Sequence, residues 1–140
     1  MPRRDSQEMS QGCDMTELVF VYGTLKKGFG NHRLLAKAKF IAPAFIINGK
    51  MIDLGAFPAV MEGDMDIEGE IYAVDENTLA SLDRLEGHPT FYERKQIEAY
   101  LDDERMPAEA WCYFLSKDSQ AHYEKLCPVI EEGIWHGSRR

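Results

Sequence analysis

Between Leu18 and Val74 the chain is cut into five short runs rich in Ile, Val, Phe and Tyr: Leu18–Tyr22, Phe40–Ile47, Lys50–Leu54, Phe57–Met61 and Ile67–Val74. Gly23, Asn48-Gly49, Gly55 and Gly63-Asp64 punctuate them. Strands this short, separated by turn residues this often, cannot span a wide flat sheet and predict a compact, strongly curved sheet or barrel. The first run has no polar alternation, the pattern of a strand buried on both faces, and it stops at a glycine. The end of that strand is therefore the first place to look for chemistry.

Helical signals are fewer. Asn31 is placed to cap a short helix through Ala38, with Leu34 and Leu35 facing inward. A clearer helix opens at Asp75, which can cap the amide of Thr78, while Val74 and Leu79 stand at the two positions of a hydrophobic staple. Leu79, Leu82 and Leu85 fall on one face; Gly87 is set to end the helix in a left-handed turn and Pro89 to prevent its resumption, leaving Glu86 in the last turn. Tyr92–Leu101 and Ala108–Leu115 read as a closing hairpin around the polar loop Asp102–Pro107, followed by a short helix over Asp118–Leu126. The organisation expected is a flexible tail over 1–16, a single domain over 17–127 and a C-terminal tail over 128–140, since 140 residues leave no room for a second domain.

Composition removes several function classes. Sixteen basic against twenty-four acidic residues give a net charge of −8, which repels phosphate backbones and anionic lipid, so neither nucleic acid nor membrane is an expected partner. No stretch approaches the roughly twenty apolar residues of a spanning helix, and the N-terminal segment has no apolar signal core. Cys13, Cys112 and Cys127 are odd in number, far apart and never in a C-x-x-C spacing; His32, His88, His122 and His136 show no paired ligand spacing. A soluble, cytoplasmic protein without metal or cofactor is the expectation.

Two places carry candidate chemistry. The glycine-rich stretch after the first strand fails as a P-loop, because Phe29 stands where the phosphate-binding lysine is required, and fails as a dinucleotide fingerprint, because Arg33 replaces the third glycine. What survives is a strand running into a turn whose successive N–H groups can hold a carboxylate or an oxyanion, or which is simply a tight turn. Lys26, Lys27 and Arg33 beside it read individually as a solvated basic face. Glu86 is the second place: a carboxylate at a helix C-terminus meets the negative end of the macrodipole, and apolar neighbours such as Leu82, Leu85, Phe91 and Tyr92 would raise its pKa into the range useful for proton transfer. The alternative for Glu86 is an exposed side chain in a fraying turn.

Taken in order, Tyr22-Gly23-Thr24-Leu25, Asn31-His32-Arg33, Phe57-Pro58-Ala59, Gly69-Glu70-Ile71-Tyr72 and Leu82-Asp83-Arg84-Leu85-Glu86-Gly87, followed by Tyr92 and Arg94, resemble the γ-glutamylcyclotransferase-like family, most closely its γ-glutamylamine branch and bacterial relatives. The resemblance spans about residues 17–115. It implies an α+β fold, a small mixed barrel flanked by short helices, with a cavity beside the Tyr-Gly-Thr-Leu turn. It further implies that Tyr22, Gly23, Thr24 and Leu25 hold a small-molecule γ-glutamyl substrate, that Glu86 is the catalytic acid/base, and that Tyr92 and, more loosely, Tyr113 wall the pocket. The implied reaction releases 5-oxoproline from a γ-glutamyl amide with no cofactor. The alternative is a non-catalytic module that binds a γ-glutamyl-like metabolite or a partner peptide.

Overall fold

The computed structural model describes residues 16–101 and 107–137. Its elements are β1 (Glu17–Val21), a 3-10 helix (Gly30–Leu35), β2 (Lys39–Asp53), β3 (Pro58–Glu62), β4 (Met65–Val74), α1 (Glu76–Glu86), β5 (Tyr92–Leu101), β6 (Pro107–Leu115) and α2 (Lys117–Tyr123). The strands run in the order β3-β2-β4-β1-β6-β5, and a further pairing of β2 with β5 closes five of them into a barrel with β3 as an extra strand. All pairings are antiparallel except β1 with β6. This is the small mixed barrel with short helices that the family resemblance implies.

β1 lies at the centre and is buried on both faces, as its unbroken apolar run requires. Phe20 and Tyr22 join one core cluster, to which every strand of the barrel contributes and which fills its interior. Val19 and Val21 join a second cluster with Leu79 and Leu82 of α1 and Leu35 of the 3-10 helix, so the helices cover the other face. The end of β1 thus emerges between the barrel and its helical layer.

The structure departs from the sequence expectations in several places. Phe40–Ile47 and Lys50–Leu54 are one fifteen-residue strand, not two. Asn48-Gly49 does not turn a hairpin: Asn48 takes a positive φ of 61° inside a register shift between Ile46 and Gly49, and the resulting bulge bends β2 so that it pairs first with β4 and then with β3. The helix after the glycine loop is a single 3-10 segment that starts at Gly30, and Asn31 is not its cap. Leu34 is only half-buried.

Helix α1 keeps the predicted cap, with Asp75 accepting from the Thr78 amide at 2.7 Å, and Val74 and Leu79 are both buried at the staple. Leu85 departs from the face of Leu79 and Leu82 and is 42% exposed. The final helix is shorter than expected, Lys117–Tyr123, with Ser116 accepting from the Ser119 amide. Residues 128–137, read from sequence as tail, are instead bound to the barrel. Pro128 O accepts from Asp53 N, Ile130 N donates to Met51 O, Glu68 N donates to Gly133 O, and the Trp135 ring is 3% exposed within the barrel cluster. The expected tail over 1–16, apart from Thr16, and the loop residues 102–106 lie outside the described residues.

Candidate active site

A cavity of about 230 Å³ opens where β1 ends, between the glycine turn and the C-terminus of α1. Tyr22, Gly23, Thr24, Leu25, Glu86, Tyr92 and Tyr113, all singled out from sequence, line it together. Asn31, Phe57, Pro58, Leu85 and Phe91 also line it; of these, the sequence pointed only to Leu85 and Phe91, as apolar neighbours of Glu86. A larger recess of about 880 Å³, bordered by Asp53 and residues 128–137, exposes mostly acidic and aliphatic side chains and brings together none of these groups. Among the described residues, no cluster of His, Cys, Asp and Glu is arranged to hold a metal ion.

The turn is built to leave its N–H groups unpaired. Gly23 O accepts from Lys26 N and Thr24 O from Asn31 N, but the N–H groups of Gly23, Thr24 and Leu25 find no acceptor among the described residues. The Asn31-His32-Arg33 segment braces the turn. Asn31 Nδ2 donates to Thr24 Oγ1 at 2.8 Å, His32 Nδ1 lies 2.9 Å from Leu25 O, and Arg33 Nη1 donates to Gly30 O. Gly23 is required by close approach, because a Cβ there would stand 2.9 Å from Pro58 Cγ and Cδ. Below the turn, Glu70 Oε1 accepts from Lys27 N and from the Tyr72 hydroxyl.

Lys26 corrects the expectation of a solvated basic face. It is buried, its Nζ donates to Trp135 O at 2.9 Å, and burial lowers its pKa against the opposing pull of Glu70 and Glu68. The contact ties the turn to the C-terminal segment.

Across the cavity, Glu86 is the last residue of α1, with Gly87 in the left-handed conformation at φ 69° stopping the helix behind it. Its carboxyl has no hydrogen-bond or ion-pair partner among the described residues, and desolvation raises its pKa from 4.5 to about 7. The surrounding phenols do not relieve it. Tyr22 donates to Tyr113 O, Tyr92 to Pro58 O and Tyr113 to Asp83 Oδ1, each within 2.7 Å. Burial keeps all three hydroxyls protonated well above their ordinary range. They frame the cavity and hold its walls together. Cys112 is likewise buried and its thiol pushed up, which leaves it an apolar wall element of the barrel.

What holds Glu86 in place is one turn earlier. Asp83 takes a bidentate pair from Arg94 Nε and Nη2 at 2.9 and 3.1 Å and the Tyr113 hydroxyl at 2.6 Å. Arg94 stacks over the Trp111 ring at 4.1 Å, and Trp111 Nε1 donates to Glu17 Oε1. The end of α1 is thereby pinned to β5 and β6. Asp83 and Arg94 are visible in the sequence pattern, but their partnership across eleven residues carries no local signal.

The comparisons with known proteins fit this geometry. The family described as Gamma-glutamyl cyclotransferase, AIG2-like, matches residues 19–137, which include both cavity walls and the C-terminal segment. MJ1514 of Methanocaldococcus jannaschii, named as an inferred γ-glutamylcyclotransferase, is 40% identical over 83% of this chain and 92% of its own. The human γ-glutamylaminecyclotransferase is 38% identical over 64% of this chain and 66% of its own. Among solved structures, YtfP of Escherichia coli superposes with a TM-score of 0.62 at 29% identity, covering 85% of this chain and 96% of that one. The AIG2-like protein of Mus musculus shares the fold with a TM-score of 0.71 at 24% identity, covering 89% and 97%. A cavity set between a glycine turn and an unpaired helix-terminal glutamate, on this barrel and with this extent of sequence identity, makes the chain a member of the γ-glutamyl cyclotransferase, AIG2-like family.

Proposed function

We propose that the chain is a γ-glutamylcyclotransferase that releases 5-oxoproline from a γ-glutamyl amide. The observation that carries this reading is the unpaired Glu86 carboxyl, with a pKa of about 7, lining the same cavity as the unpaired N–H groups of Gly23, Thr24 and Leu25. The substrate supplies its own nucleophile. Its α-amine attacks the γ-carbonyl carbon, the new C–N bond closes a five-membered lactam, and the bond to the departing nitrogen breaks. Because both reacting groups belong to one molecule, much of the entropic cost of bringing them together is already met.

The remaining task is proton transfer. An α-ammonium that becomes a lactam N–H loses two protons, and an amide nitrogen that leaves as an ammonium gains two. Ionised Glu86 takes each proton from the attacking nitrogen and hands it to the leaving one, ending as it began. A carboxyl near pH 7 is balanced for both directions. The turn's N–H groups hold the substrate carboxylate or the oxyanion. We place the reaction in a reducing cytoplasm, with support from the free thiols of Cys112 and Cys127.

The test is incubation of the purified protein with a panel of γ-glutamyl amines and dipeptides, measuring released 5-oxoproline, with Glu86→Gln in parallel. Turnover by the wild type, and a loss of about 10²- to 10⁴-fold in the variant, is the expected result. Undiminished turnover by Glu86→Gln would remove its role. Binding of γ-glutamyl compounds without turnover, equal in wild type and variant, would establish the non-catalytic module instead.

A further inference from the structure

The mouth of the cavity is apolar in a way the fold does not need. Leu85 and Phe57 are 42% and 38% exposed, and Phe91 stands beside them, its ring edge-to-face with Phe57 at 6.3 Å between centroids. Leu85 lies on a helix whose other leucines are buried, and Phe57 immediately precedes the strand that backs Gly23. Large apolar side chains left in water at the rim of a cavity that holds a desolvated carboxyl mark a surface that a ligand covers.

The charges point the same way. Among the described residues, no lysine or arginine lines the cavity. Two nearby cations are committed elsewhere, Lys26 to Trp135 O and Arg94 to Asp83, while the exposed Lys27 and Arg33 stand outside the lining. The turn's N–H groups can serve the single α-carboxylate of a γ-glutamyl unit. A second carboxylate on the leaving group would meet aromatic rings, Glu86 and a chain of net charge −8.

We propose that Phe57, Leu85 and Phe91 form a specificity collar, and that the leaving amine carries an uncharged aliphatic or aromatic arm that packs against it. The assignment rests on the cyclotransferase reading above and names the half of the substrate which that reading leaves open. An arm of this kind displaces water from three apolar side chains on binding, whereas an anionic or zwitterionic arm loses its own hydration without a partner.

The experiment uses three γ-glutamyl amides of matched length, a neutral hexylamide, a 6-aminohexylamide with a cationic end and a 5-carboxypentylamide with an anionic end, together with the shorter anionic γ-glutamylalanine. Each is assayed for kcat/KM with wild type, Phe57→Ala and Leu85→Ala. Affinities are read in parallel by calorimetry on Glu86→Gln, so that arm preference is measured whether or not turnover occurs. Phe57 and Leu85 are half-exposed, so these truncations leave the core intact, and thermal melts verify it. The expected result is about a tenfold preference for the hexylamide over the charged arms in both readouts, reduced to less than about threefold in the two collar variants. Equal affinities, a preference for a charged arm, or a preference that survives both truncations would overturn the collar. Failure of the cyclotransferase reading looks different: no 5-oxoproline from any amide, with the binding order still legible.

Discussion

The two walls of the cavity are built by opposite means. The glycine turn offers backbone N–H groups whose positions are set by the chain path, braced by Asn31 and His32 and closed behind by Pro58. The end of α1 offers one side chain, Glu86, whose position depends on an ion pair and a phenol one helical turn away. A backbone wall tolerates most side-chain changes and fails where a Cβ cannot fit. A side-chain wall fails whenever its supports loosen, because a carboxyl displaced by about 1 Å loses its proton-transfer geometry.

The asymmetry is tested hardest by Asp83→Ala. It leaves Arg94 without its bidentate partner and the Tyr113 hydroxyl without its acceptor in a partly buried setting, for an expected loss of about 2–4 kcal/mol. Denaturant midpoints measure the loss. Turnover falls through kcat more than KM, since the substrate-holding turn is untouched. Equal losses in both would show that the helix end also sets binding. Next is Gly23→Ala, whose Cβ would stand 2.9 Å from Pro58 and cost about 1–3 kcal/mol. The double substitution Gly23→Ala with Pro58→Ala keeps the carbonyl that Tyr92 donates to and is expected to recover part of that loss. An additive double variant would mean that the turn is not held by that contact.

Lys26→Met has a smaller expected effect, about 1 kcal/mol, because two terms oppose. It orphans Trp135 O but removes an ammonium that burial already disfavours. A loss well above that, in the same denaturation series, would make the C-terminal segment a principal support of the turn.

These contacts also mark where sequence stops being informative. Local rules reached far: the cap at Asp75, the left-handed Gly87 and the buried first strand are consequences of neighbouring residues alone, and so is the position of Glu86 at the helix end. Asn48-Gly49 was ambiguous because the same positive φ serves a hairpin or a bulge, and only the pairing of β2 with both β4 and β3 decides. Leu85 keeps the helical spacing of a core residue, yet α1 ends beside an opening and among the described residues it stays 42% exposed. Lys26 reads as solvated because its partner, Trp135, is 109 residues away. The cavity walls drawn from β1 and from α1 with the Phe91 that follows it were legible; those added by Asn31, Phe57 and Pro58 depend on tertiary placement that no spacing encodes.

The last effect expected is a gain rather than a loss. With its pKa raised from 4.5 to about 7, Glu86 binds a proton more tightly in the folded chain than in the unfolded one. Its favourable contribution to folding is complete below about pH 4.5 and is lost as pH rises through 7, so at pH 8 the ionised carboxyl is a net liability to the fold. Glutamine resembles the protonated form at every pH. Glu86→Gln should therefore melt close to the wild type at pH 5 and a few degrees above it at pH 8, with the difference growing between those values. If the two proteins melt in parallel at both pH values, the carboxyl is fully hydrated. Proton transfer would then have to be explained without a tuned glutamate, and the contrast between a rigid backbone wall and a strained side-chain wall would disappear. A gain at pH 8 paired with lost turnover would instead tie the instability of α1's last residue to its chemistry, since the same desolvation produces both.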